Sequence, residues 1–359
     1  MKSVEEINTD ELVKGIEQII TLPIFNWDNM VAEIPMNSLY TRLGELLGGS
    51  PLKITAEGLL EATSRGEAFI ITNGFYVKSS ETLETDGPIG ALTVARALHV
   101  ASNKVPVIIV PTGYADSMSK LCASVGLRPF KRREALSAVQ DGYHAAVIEE
   151  FPLDSKAAEK RSSTIIEQYN PTALLSVECP DRNSHGVFHR AKGFDTTQYQ
   201  AKFPVLFEQA YDSGLFTAGI GDFGNEIGMN PLLETLHSLR ESHRICRCGC
   251  GGGIVGSTKT SSSLIANISN WGAYGLGGAI ALLSNKTEAM HTPEMEHRLL
   301  IEAARLGYVD ATTGFLDPSE DGSTDHVSST IVDLISSIVA LNNDNSYRHY
   351  YKTHKNVTL

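Results

Sequence analysis

The chain has 359 residues, a formal charge of −12, 42% hydrophobic and 20% charged residues, and 31 glycines. That length holds one large α/β domain or two ordinary ones, and the composition is globular rather than disordered or fibrous. The negative balance supplies no basic field for nucleic acid or an anionic membrane, so neither is expected as a partner.

The first 25 residues carry Glu5, Glu6, Asp10, Glu11 and Glu17 and no unbroken apolar run. That argues against a secretory signal or an acid-poor transit peptide and sets a cytoplasmic location as the expectation. SVEEINTDELVKGIEQII reads as a helix with a Ser3/Glu6 capping box, and NSLYTRLGELLGG as a helix from an Asn37 cap to a glycine stop. Residues 1–50 are therefore expected to form a helical extension packed on the main domain.

Short apolar runs follow at 67–72, 105–111, 143–151, 173–179, 215–221 and 263–269. Between them lie GPIGALTVARALHVAS, ADSMSKLCASVG, SSTIIEQY and NPLLETLHSLRESH, with apolar positions three or four apart. This rhythm predicts an α/β fold over residues 51–345: a doubly wound, mostly parallel sheet with helices on both faces. DPSEDGSTDH reads as a solvated loop, HVSSTIVDLISSIVALN as a helix, and residues 346–359 as a polar tail. The uncharged span from Thr260 to Asn285 has membrane-spanning length, but its Ser, Asn and Gly content breaks it into a strand, a polar turn and a Gly/Ala-rich helix.

Open α/β sheets bind ligands at the carboxyl ends of their strands. There the sequence places Asn73 and Gly74, Thr112 and Gly113, Glu178 with Arg182, Gly221 to Glu226, and Asn270. GIGDFGNEIGMN (219–230) satisfies the G-x-G-x-x-G dinucleotide pattern, yet Asp222 after the second glycine would aim a carboxylate at a pyrophosphate. No nucleotide cofactor is expected. The turn reads instead as one that caps a helix with Asp222, or that presents Asp222, Asn225 and Glu226 as metal ligands or acid/base groups.

A second cluster, Glu84, Thr85, Asp86 and Gly87, precedes Pro88. It is either ordinary helix capping or a site where free N–H groups hold a substrate carboxylate while Glu84 or Asp86 faces the reacting centre. In VECPDRNSHGVFHRAKG, Arg182 offers a fork for a carboxylate beside Glu178, and His185, His189, Arg190 and Lys192 surround it. His189 is a candidate general base. Asn270 in ISNWGAYGLGG is a candidate substrate contact, with Trp271 and Tyr274 as pocket wall.

Five cysteines, an odd number, point to reduced thiols. Three of them form C-x-C-x-C at Cys246, Cys248 and Cys250. Zinc or copper(I) could bind there, but without paired C-x-x-C knuckles the expected reading is a glycine-rich turn with ordinary thiols. The following GGGIVGSTKT mimics a phosphate-binding loop but has no Lys directly after Gly256.

TNGFYVKSSETLETDGPIGA, VECPDRNSHGVFHRAKG, GIGDFGNEIGMN and ISNWGAYGL, in this order, resemble the D-glutamate cyclase family. The resemblance spans about Thr72 to Leu283. It departs at Asn73, inside T-G-F, and at Ser261, near which an acidic residue is expected.

The resemblance implies a lyase that closes D-glutamate to 5-oxo-D-proline with loss of water. It implies Asp222 and Glu226, with Glu84 or Asp86, as catalytic groups or as ligands for Mg²⁺ or Mn²⁺. The metal positions are placed at Asp222 and Glu226. Arg182, Asn225, Asn270, Glu178, Thr85 and Gly87 are expected around a small amino-dicarboxylate substrate, in a chain that can form a homo-oligomer. Two alternatives stand beside it: a related lyase or amidohydrolase on another amino-dicarboxylate, or a non-catalytic protein binding an acidic metabolite or nucleotide.

Overall fold

The computed structural model describes residues 9–23 and 35–342. The Ser3/Glu6 capping box and the 346–359 tail lie outside the described residues. In chain order the strands are β1 (Ala68–Asn73), β2 (Tyr76–Val77), β3 (Thr82–Leu83), β4 (Val105–Pro111), β5 (Arg128–Pro129), β6 (Ala145–Phe151), β7 (Ala173–Val177), β8 (Phe216–Gly221), β9 (Ser262–Ile265), β10 (Ser319–Glu320) and β11 (Ser323–Thr324).

Seven of them form one sheet in the order β5-β6-β4-β1-β7-β8-β9, and every pairing in it is parallel. Its strands are apolar almost throughout because both faces are covered. Phe69, Ile71, Ile108, Val110, Leu175 and Val177 enter one core. Their alternates Ile70, Val107, Ile109 and Leu174 enter the other, as a two-residue side-chain period requires. The sheet is doubly wound, and the chain switches direction across it between β1 and β7.

The first core is built on the helix Ser269–Ser284, buried from Ser269 to Leu282. Its glycines let neighbours approach to backbone distance: a Cβ at Gly275 would meet Ile20 at 2.7 Å, and one at Gly278 would meet Ile335 at 2.6 Å. The Thr9–Ile20 helix buries Leu12, Val13, Ile16 and Ile20 against this layer. Among the described residues no helix is long and apolar enough to cross a membrane.

Three local expectations are corrected. The run 263–269 is not one strand: β9 ends at Ile265 and Ser269 already starts the helix. The turn after β8 does not open a helix, since the next α-helical residue is Leu233. DPSEDGSTDH is not a solvated loop. The buried Asp310 carboxylate accepts N–H groups of Thr312, Thr313 and Gly322 and the Ser319 hydroxyl, folding β10 and β11 inward. Asp321 and Gly322 make their two-residue turn, both with positive φ (44° and 79°).

Candidate active site

At the carboxyl ends of β7 and β8, beside the switch point, lies a pocket of 410 Å³, the size and place expected of a small-molecule site in an open α/β sheet. Glu84, Glu178, Asp222, Glu226 and Asp321 line it, with Asn225, Asn267, Arg190 and Lys192.

Glu178 follows β7 with φ of +47°, a left-handed conformation that costs a non-glycine residue and marks a held position. Gly87 packs directly against it: a Cβ there would stand 2.9 Å from that of Glu178, so the close approach needs glycine. Gly87 takes a positive φ (98°), which glycine adopts without strain. The Ser269 hydroxyl donates to Glu178 Oε2 at 2.6 Å.

Two helices cap each other behind this point. Asp86 accepts N–H bonds from Ser269 (3.1 Å) and Asn270 (2.7 Å) at the start of Ser269–Ser284. Asn270 Oδ1 accepts from Gly87 (2.9 Å) and Gly90 (2.8 Å) at the start of Pro88–Ser102. Each satisfies donors that a helix start leaves open. The N–H groups proposed to hold a substrate carboxylate are therefore occupied by Asn270. Its amide nitrogen donates to the Thr85 carbonyl and to Glu320, so its bonding capacity is used within the protein.

Asp222 and Glu226 occupy one irregular turn. Glu226 folds back so that Oε2 accepts the Gly224 N–H at 2.8 Å. Asp222 Oδ2 is buried and has no hydrogen-bond partner, while Asp321 lines the same pocket beside it. Burial is the leading cause that raises every acid here. Glu84, Asp86, Glu178 and Asp222 are held well above the carboxylate range, with their mutual repulsion adding to it. Glu226 is pushed up to about 7 against its backbone hydrogen bonds, and Asp321 to about 6. Such a set holds protonated and ionised carboxyls together near neutral pH.

Oxygens of Asp86, Glu178 and Asp222 lie within 4.8 Å of one another. Three carboxylates with one unpartnered oxygen are a hard donor set that fits Mg²⁺ or Mn²⁺. Glu226, placed beside Asp222 as a ligand by the sequence, is outside this group because backbone N–H groups hold its carboxylate.

The structure thus brings Glu84, Asp86, Glu178, Asp222, Asn225 and Glu226 to one place. It does not bring Arg182, whose guanidinium pairs with Glu208 at 2.5 Å, nor Thr85 and Asn270, which lie buried behind the wall. Arg190 and Lys192 take the basic positions at the pocket. His189 does not face the acids: its Nε2 points at Cys248. Trp271 is wholly buried core, and the Tyr274 hydroxyl bonds Glu296 and Glu320. Ser261 sits at the amino end of β9, bonded to Thr217, at the opposite end of the strand from the pocket. Sequence reasoning missed Asp321 and Asn267. The Asp-Gly dipeptide at 321–322 was the available signal for the first.

Fold and pocket define a doubly wound α/β protein with an acidic pocket at its switch point. A family model described as D-glutamate cyclase-like, C-terminal, matches residues 42–336, and the chain belongs to that family. It is similar to human mitochondrial D-glutamate cyclase, 22% identical over 228 residues, which are 61% of this chain and 33% of that protein. The chain thus spans about a third of the length of that curated relative.

Proposed function

We propose that the pocket closes D-glutamate, or a closely similar amino-dicarboxylate, to 5-oxoproline with release of water. The observation that carries this reading is the clustering of raised-pKa carboxyls opposite Arg190 and Lys192 in a chain of this family.

The reaction forms the bond between the α-nitrogen and the carboxyl carbon of the γ-carboxylate and breaks one C–O bond of that carboxylate. The ammonium gives up two protons, and the departing oxygen takes two to leave as water. The protein must therefore relay protons from nitrogen to oxygen without net gain or loss. Glu226, at about 7, and Asp321, at about 6, sit near the pH at which a carboxyl can serve as either base or acid. Asp222, against Asp321, completes a chain of carboxyls that passes a proton on.

Arg190 and Lys192 hold the α-carboxylate, which is not consumed, and leave the amine directed at the acids. The unpartnered Asn225 Oδ1 accepts a hydrogen bond from that amine. Asp86, Glu178 and Asp222 would hold a hard divalent cation, which when bound supplies charge neutralisation at the γ-carboxylate, a poor electrophile. Ring closure is intramolecular, so fixing the two ends in near-attack geometry lowers much of the barrier.

The test is incubation of the full chain with D-glutamate and separately L-glutamate, with and without Mn²⁺ or Mg²⁺, following 5-oxoproline by chiral chromatography. Product from D-glutamate is expected. Folded protein that forms no product from either enantiomer overturns the assignment.

A further inference from the structure

Two long irregular segments cross beside the pocket. No helix or main-sheet strand lies between Glu178 and Lys202, nor between Ile245 and Ser261. Irregular runs of this length need something to hold them. At their crossing the three thiols of the C-x-C-x-C stretch and one imidazole meet. Cys246 Sγ lies 3.1 Å from Cys248 Sγ and 3.3 Å from Cys250 Sγ, and His189 Nε2 lies 3.2 Å from Cys248 Sγ and 3.8 Å from Cys250 Sγ. All four atoms fall within 4.8 Å of one another, and all five cysteines are free of disulfides.

We infer that Cys246, Cys248, Cys250 and His189 bind one Zn²⁺ as a closed structural site, separate from the acidic pocket, that staples the 178–202 segment to the 245–261 segment. Four donors around a tetrahedral zinc with bonds of about 2.3 Å to sulfur stand about 3.7 Å apart, close to the separations here. Weak S–H···S contacts alone give no reason for three thiols to converge on a buried imidazole. Among the described residues His189 Nε2 has no hydrogen-bond partner except these sulfurs.

The surroundings are those of metal-bound thiolates. Asn183 Nδ2 donates to Cys250 Sγ at 3.3 Å and to the Gly253 carbonyl at 2.7 Å. Its Oδ1 accepts the N–H groups of His185 and Val187, so one side chain orients both segments. Gly249 and Gly251 take positive φ (83° and 86°), which lets so short a stretch bring all three sulfurs to one point. The three thiols release their protons as the cation binds, and the imidazole binds neutral. Three thiolates and one imidazole leave no open position, so the ion is structural rather than catalytic.

The staple bears on the pocket through its neighbours. The His189 carbonyl accepts from Asn225 Nδ2 at 3.1 Å, and Arg190 is the next residue. The spacing C-x-C-x-C lacks the paired knuckles of common zinc motifs because the fourth ligand comes from a distant loop.

The experiment is metal analysis of the full chain purified under reducing conditions, followed by chelator stripping and reconstitution with Co²⁺. One zinc per chain is expected, with thiolate charge-transfer and tetrahedral ligand-field bands in the cobalt form. Cys248→Ser is expected to lose most of the zinc, whereas Asp222→Asn keeps it, separating this site from the acidic one. Zinc below about one-tenth per chain, cobalt bands without thiolate character, or zinc lost with Asp222→Asn but kept in Cys248→Ser would overturn the inference. The cobalt spectrum of the unaltered chain decides the matter even where Cys248→Ser fails to fold.

Discussion

Gly221 makes the room that Glu226 occupies. A Cβ at residue 221 would stand 2.5 Å from Glu226 Oε2 and 3.0 Å from its Cβ, so the carboxylate folds over the end of β8 only because that position is bare. Gly221→Ala is expected to push Glu226 off the Gly224 N–H and out of line with Asp222. Turnover should fall at least tenfold, with a stability loss of about 1–3 kcal/mol from overpacking. Steady-state kinetics beside a thermal melt checks this, and full activity in Gly221→Ala would mean that Glu226 has no role in its present position.

Asp222→Asn and Glu226→Gln test the carboxyls themselves. Burial and mutual repulsion work against the charged form at both positions, and the amides keep shape and one acceptor oxygen. Turnover is expected to drop at least a hundredfold while the melting temperature stays within a few degrees or rises, the trade-off common at active sites. A variant that melts far lower and retains activity in its folded fraction would make these residues caps rather than reacting groups.

Much of this arrangement is legible in the sequence, for a physical reason. Apolar runs buried on both faces leave an unbroken signal, so β4 is foreseen to the residue, and polar residues at strand ends locate the pocket region. Orientation is not legible in the same way. Arg182 and Arg190 are equally plausible partners for a carboxylate until Glu208, on the helix Phe203–Asp212, claims the first. Asn270 reads as a ligand contact from sequence because an asparagine after an apolar run exposes an amide, but the strand stops at Ile265 and the amide turns to cap Gly87 and Gly90. The meeting of the three cysteines with His189 is not legible at all, because His189 is 57 residues from the nearest of them in the chain, a distance only the fold closes.

The two arginines separate the pocket from its surroundings. Arg190→Gln is expected to raise KM for the dicarboxylate at least tenfold, about 1.4 kcal/mol of binding. Arg182→Gln, which breaks a half-exposed pair with Glu208, is expected to change kcat and KM by less than twofold and stability by no more than about 1 kcal/mol. The reverse pattern would return the substrate carboxylate to Arg182.

The pH dependence of stability should run opposite to the usual acid-denaturation trend. Beneath the pocket the Tyr274 hydroxyl lies 2.8 Å from Glu296 Oε1 and 2.9 Å from Glu320 Oε2, and its one proton can serve only one of them. Another carboxyl must keep its own proton. Burial pushes Glu296 to about 8 and Glu320 to about 8, while His291, 2.8 Å from Glu296, is held down near 3 and stays neutral. Between the unfolded value near 4.5 and the folded value near 8, the folded chain retains protons that the unfolded chain has lost. Stability from the two carboxyls is therefore full below about pH 4.5, falls as pH rises through that window, and levels off above it, while the neutral His291 adds an opposite slope only below about pH 6.5. The slope is roughly 1.4 kcal/mol per pH unit at most for each proton retained. Denaturant midpoints between pH 6 and 8 should decline in the unaltered chain, and decline less steeply in Glu296→Gln, which keeps an acceptor for Tyr274 and has nothing to titrate. Equal slopes in the two proteins would show that Glu296 is ionised in the folded state throughout.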